Sequence, residues 1–166
     1  MREKTSGLDE IRREIELPPI SQIVMVVKDV DRMVKEYSSL FGLGPWTVHE
    51  FIPEKIWFMG KPEYLKLLLA ETMWNGTGLV LQQPLEAGFS FYDDFLSTQG
   101  EGILNFAFNV QNYEETFDKF LKAGFKPVME CDTYLETYKG YLKTCYFDTQ
   151  SVYGISIEIR WGSWLA

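Results

Sequence analysis

Apolar and polar positions fall into blocks from residue 20 onward. Residues 20–27 (ISQIVMVV) are apolar and rich in β-branched side chains, the pattern of a strand buried on at least one face. Asp29 stands where a helix cap belongs. Val30, Met33, Val34, Tyr37, Leu40 and Phe41 then recur at helical spacing and make one apolar stripe. Gly42, able to turn left-handed, and Gly44-Pro45, unable to continue a helix, stop it. Three strand-like runs follow at 46–51, 64–72 and 78–83, separated by Pro, Gly and Asn.

The same programme then repeats. Residues 103–110 (ILNFAFNV) read as a strand, and Asn112 with Glu115 three positions later reads as a capping box. Tyr113, Phe117 and Phe120 supply the next helical stripe, Gly124 ends it, and extended runs return at 126–131, 141–147 and 154–161. Gln22 and Asn105 lie 83 residues apart, half the chain. At that offset Val27 meets Val110, Asp29 meets Asn112, Val34 meets Phe117 and Tyr37 meets Phe120. One deletion later Gly42 meets Gly124 and Pro45 meets Pro127. Two divergent βαβββ modules are the natural reading. The expected class is α+β, with modules at 19–90 and 91–166 forming one domain and residues 1–18 a charged tail closed by Pro18-Pro19.

A four-stranded sheet carrying one helix buries only its helix side. Two such sheets side by side are expected to curl into one mixed sheet around a central cleft, lined by the opposite side chains. Alternation then sends Ile23, Met25 and Val27 toward a helix and Gln22, Val24 and Val26 toward the cleft. It sends Leu104, Phe106 and Phe108 to the helix side and Asn105, Ala107 and Asn109 to the cleft. In the last strand Ile155, Ile157 and Ile159 are core, which leaves Ser156, Glu158 and Arg160 opposite. A carboxylate between isoleucines on a central strand must be solvated or paired, because burying it bare is costly. Glu158 is thus either a functional cleft carboxylate or a partner of Arg160 or a lysine.

Composition narrows the function classes. With 24 acidic and 16 basic side chains the net charge is −8, which disfavours a nucleic-acid surface. No apolar run approaches the roughly 20 residues that span a bilayer, and the start of the chain lacks a signal-peptide core. Cys131 and Cys145 are too few for a disulfide scaffold, so a cytoplasmic protein with free thiols is expected. The aromatic load of 5 Trp, 9 Tyr and 12 Phe contrasts with one histidine, His49.

The stretches ISQIVMVVKDVDRMVKEYSSLFGLGPW, LVLQQPLE, GEGILNFAFNV and YFDTQSVYGISIEI resemble the vicinal oxygen chelate superfamily, the glyoxalase/bleomycin-resistance-like fold. Within it they are most similar to methylmalonyl-CoA epimerase-like members, over about residues 19–162. The resemblance implies a cleft in which four strands each supply one ligand to a divalent metal, commonly His, Gln or Glu, His and Glu. Those positions fall on Gln22, Val80, Asn105 and Glu158, and a base glutamate of some epimerases falls on Lys66. Only Glu158 keeps its family identity. Two amides, a valine and one carboxylate are a poor set for zinc, cobalt or nickel, and a hard cation would want more carboxylates. No metal and no other cofactor is therefore expected. His49 lies outside the ligand pattern and reads as a strand residue.

The reading that follows is an isomerase, an epimerase or racemase that moves a proton at an acidic carbon α to a carbonyl without a metal. Glu158 is the expected base, Gln22 and Asn105 the amide donors for the enolate oxygen, and Lys66 a neutralising or opposite-face group. Trp46, Trp57, Phe58, Trp74 and Tyr153 are expected to stack on a planar ligand, with Val80 and Arg160 completing the wall. The substrate is a small molecule, either an aromatic ketone of isoflavanone type, as the resemblance implies, or an acyl-CoA thioester. A non-catalytic binder of an aromatic compound is the alternative. A metal-dependent lyase or dioxygenase comes third, because Val80 cannot bind a metal. A homodimer is expected, since open sheet edges and Trp161 and Trp164 would benefit from cover.

Overall fold

The computed structural model describes residues 15–165. Local chemistry sets its first elements. Asp29 is extended and its side chain accepts the Arg32 N–H at 2.9 Å, opening helix α1 (Val30–Phe41). Gly42 closes that helix with φ +68°, its N–H returning to the Ser38 carbonyl. In the second module Asn112 accepts the Glu115 N–H and donates its amide to the Glu115 carboxylate at 3.0 Å, opening the corresponding helix at Tyr113–Lys122.

Ten strands form one sheet: β1 Gln22–Val26, β2 Thr47–Phe51, β3 Lys55–Phe58, β4 Lys61–Pro62, β5 Leu67–Trp74, β6 Thr77–Pro84, β7 Gly102–Asn109, β8 Pro127–Leu135, β9 Gly140–Phe147 and β10 Ser156–Gly162. Three further helices complete it: α2 Ser90–Thr98, α3 Tyr113–Lys122 and the single turn α4 Gln150–Tyr153. Strand order is β2-β5-β6-β1-β7-β10-β9-β8-β3-β4. The first strands of the two modules, β1 and β7, pair antiparallel at the centre, and each pairs parallel with the last strand of its own module. The fold is the expected α+β arrangement of two βαβββ units around a cleft.

Strand alternation separates the two faces. Met25 and Val27 pack against Val30 and Met33 of α1 with Ala70 and Leu81, while Cys145, Phe147, Ile157 and Ile159 pack against Phe117 and Phe120 of α3. Phe120 stacks on Phe147 with ring centroids 4.1 Å apart. One expected direction is reversed: the β1–β7 register shifts between Val24 and Met25, from Asn105 to Ile103. Leu104 is the extra residue of that bulge, and it joins Val26 on the cleft side instead of following Phe108. The stripe of α1 is also shorter than expected, since Leu40 and Phe41 at its end are exposed.

Two elements depart from the sequence expectation. Helix α2 crosses the expected module boundary at 90/91, and Phe89, Tyr92 and Phe95 sink into a cluster with Val26, Leu67, Leu69, Leu104, Met129 and Tyr146. It plugs the floor of the cleft. The hairpin β3–β4, in a stretch read as connecting chain, leaves the first module and pairs with β8 of the second, Ile56 opposite Cys131 and Phe58 opposite Met129. Only Ile52-Pro53-Glu54 joins β2, at one end of the sheet, to β3, beyond β8, the outermost strand of the second module. Four Cα steps span at most about 14 Å. The sheet must therefore curl nearly into a barrel, and the Glu54 N–H donating to Thr133 Oγ1 at 3.0 Å fastens the seam. The tail expected at 1–18 lies mostly outside the described residues, but Ile15 and Leu17 pack on the α3 core.

Candidate functional site

The cleft opens at the Gln22 end of β1 and is closed below by α2. It encloses about 720 Å³, open mouth included. In a curled sheet the strands tilt, so side chains at one height are staggered from strict register. Gln22 registers with Gly78 and Ala107, and Asn105 with Ser156. By the same pairings Glu158 shares the Ala107 rung with Gln22, and Val80 and Asn105 share the Val24 rung, so the four stand on two neighbouring cleft-facing rungs. These are the positions singled out in the sequence, and both modules of one chain supply them.

Glu158 is 4% exposed, and its Oε2 accepts the Asn105 amide N–H at 2.8 Å. Arg160 Nε stands 3.8 Å from Oε1, a long contact. Burial pushes the Glu158 carboxyl above the ordinary range; Arg160, Thr144, Asn105 and Tyr146 offset only part of that push. Below it the Tyr92 hydroxyl donates to Gln82 Oε1 at 2.9 Å, and Tyr146 lines the same floor. The walls are apolar, from Val24, Phe51, Ile56, Leu65, Leu67, Leu69, Leu135 and Leu142. Gln22 lies over Gly78, where a Cβ would come within 2.9 Å of its Cγ, so the missing side chain is what admits it. At the mouth Tyr138, on the β8–β9 hairpin, stacks on Trp164 at 4.6 Å.

The other expected site residues divide by strand face. Val80 and Arg160 line the cleft beside Gln22 and Glu158. Asn105 is wholly buried and committed to Glu158, which leaves its Oδ1 without a partner among the described residues. Lys66 is not in the cleft: it pairs with Glu50 at 3.1 Å on the outer face. The expected aromatic wall is corrected throughout. Trp46 packs on the α1 side, its Nε1–H donating to Leu43 O, because it shares strand parity with Val48 and Glu50. Trp57 faces outward beside Tyr113 and Phe117. Phe58 packs under the floor against Phe89. Trp74 ends β5 and stacks on exposed Phe41. Tyr153 is exposed on α4 near Phe125. The cleft's own rings are Phe51, Tyr92, Tyr138, Tyr146 and His49, with Glu71 a further polar group near the mouth. Alternation along 47–51 alone would have found His49 and Phe51.

These residues do not fit a divalent metal. Val80 offers methyl groups, Asn105 turns an N–H toward the only carboxylate of the set, and a cation there would face that N–H. Among the described residues no group of three or more His, Cys, Asp or Glu is placed to hold one. No described helix is long and apolar enough to cross a membrane.

Comparison with known proteins gives the same fold. The methylmalonyl-CoA epimerase of Mycobacterium tuberculosis is similar with a TM-score of 0.62, 19% identity and 89% of each chain covered. That of Streptomyces coelicolor, in complex with 2-nitronate-propionyl-CoA, is similar with a TM-score of 0.61 and 17% identity, over 89% of this chain and 99% of that one. A hypothetical protein of Bacillus halodurans gives 0.61 and 15% identity, over 86% and 92%. No curated protein matches. The family model described as Glyoxalase/Bleomycin resistance protein/Dioxygenase superfamily matches residues 21–140. With that match, the paired modules and the cleft between them, the chain belongs to the glyoxalase/bleomycin resistance protein/dioxygenase superfamily.

Proposed function

We propose that the protein is a metal-independent epimerase or racemase acting at a carbon α to a carbonyl, with Glu158 as the proton-transfer group. The observation that carries this reading is a single carboxyl buried at the base of an apolar cleft, held by Asn105 and biased toward its protonated form. Such a group takes a proton from carbon and returns it at comparable cost, which a solvated carboxylate does not. In the forward step a Glu158 oxygen removes the α-proton, and the C–H electron pair moves into the carbonyl to give an enolate. Once the enolate has turned over in the cleft, the Glu158 carboxyl returns the proton to its other face, which gives the epimer and restores the carboxylate.

The wall of leucines, Val24, Phe51 and Ile56 suits the apolar body of an acyl or aryl substituent. With no cation to stabilise the enolate, the substrate must bring an acidic C–H, as an α-aryl or thioester carbon does. The epimerases of like fold carry 2-nitronate-propionyl-CoA and, in another complex, methylmalonyl-CoA and NH4+. These ligands support an acyl thioester as one substrate class, beside an aryl ketone of isoflavanone type.

The test is proton exchange. Purified protein, with and without EDTA, is incubated in deuterated water with single enantiomers of 2-phenylpropionyl-CoA and of an isoflavanone. Deuterium uptake with loss of optical activity, unchanged by EDTA and lowered by about 10²–10⁴-fold in Glu158→Gln, is expected. Binding without exchange would make the protein a sequestering binder; activity lost to EDTA would overturn metal independence.

A further inference from the structure

The enolate needs a hydrogen-bond donor, and the structure removes one of those expected. One of the two Asn105 amide N–H groups is held by Glu158. We propose that His49 is the catalytic donor to the substrate's carbonyl oxygen, through its Nε2–H; this rests on the isomerase reading of the same cleft.

His49 sits on β2, five strands from β10 in the order of the sheet, so curling sets the two on opposite walls of the cleft they both line. A carbonyl oxygen held by His49 on one wall leaves the α-carbon facing Glu158 on the other. Thr47 and Phe51 flank His49 on its strand, and Leu69 is its cross-strand partner.

The ring itself shows the role. Its Nδ1 is buried with no partner, and no hydrogen bond holds the ring among the described residues. A proton on Nδ1 would be a buried donor with nothing to accept it, a state that proteins avoid. The proton therefore belongs on Nε2, and that nitrogen is the one left to meet a ligand. An imidazole that donates from Nε2 can support a developing oxyanion while Glu158 handles the substrate's proton.

His49 is the only histidine, so an untagged, ¹⁵N-labelled sample shows one pair of imidazole signals. The Nε2–H tautomer is expected, with an Nε2 shift on saturation with 2-phenylpropionyl-CoA. In the exchange assay His49→Phe is expected to lose about 100-fold in kcat, the effect of removing one oxyanion donor. His49→Gln, whose amide N–H reaches about as far as Nε2–H, should recover most of it. A circular dichroism spectrum matching wild type guards against misfolding of the Phe variant. Wild-type exchange that persists undiminished in His49→Phe, or an Nδ1–H tautomer, overturns the role of His49 alone. Absence of exchange in wild type overturns the isomerase reading instead, and the Nε2 shift then still decides whether His49 touches the ligand.

Discussion

Glu158 costs the fold something. Its carboxyl is raised above the unfolded value by burial, so the folded chain holds that proton longer than the unfolded chain does. Below the ordinary carboxylate range both states are protonated and nothing is lost. As pH rises through the interval between the unfolded and the raised folded value, the unfolded state deprotonates first and stability falls. Glu158→Gln removes that dependence. The variant should melt within a degree or so of wild type at pH 4 and above it at pH 8, by about 2–4 °C for each kcal/mol recovered. Equal Tm values at both pH values would show the carboxylate to be solvated. The position of Glu158 was legible because isoleucines on either side fix the parity of β10, and Asn105 was legible by the repeat. The aromatic wall was misread where parity was ignored: Trp46 and Trp57 each lie one residue from a cleft-facing position, Thr47 and Ile56.

At the scale of elements, the helices and most strands follow from caps, stripes and glycine stops. The hairpin β3–β4 does not, because four residues and then two are too short for a periodicity to register. Nor does α2, whose Ser, Asp and Thr content resembles a linker; only Phe89, Tyr92 and Phe95 reveal a packed side, and they need the cleft to pack against. What each contributes is open to measurement on β3, where neighbouring side chains point opposite ways. Ile56 is buried in the cleft-floor cluster, whereas Trp57 is half-buried on the outer face. In urea unfolding, Ile56→Ala should lose about 2–4 kcal/mol. Trp57→Ala, although it removes the larger side chain, should lose less. A larger loss at Trp57 would mean that the outer groove, not the seam, secures the hairpin.

At the scale of the whole molecule, the duplication does not yield two independent halves. The modules share the β1–β7 ladder, the α2 plug and the β3–β8 seam. Unfolding should accordingly be one transition, with tryptophan fluorescence and far-ultraviolet circular dichroism coincident in denaturant. Separated transitions would show that one module outlives the other. The repeat announced two modules and a cleft. The feature that joins them across the far side is absent from the repeat, since the second module carries no counterpart of β3–β4 between β8 and β9.

The three-residue link from β2 to β3 has a geometric consequence. A ring of strands that is open on one side can breathe, so its bore depends on packing and on what occupies it. Here Ile52-Pro53-Glu54 acts as a buckle, and the girth of the ring is bounded by a count of backbone bonds. A ligand cannot widen the ring sideways without unpairing β3 from β8. It must enter lengthwise past Tyr138 and Trp164, and its thickness is limited before any side chain is consulted.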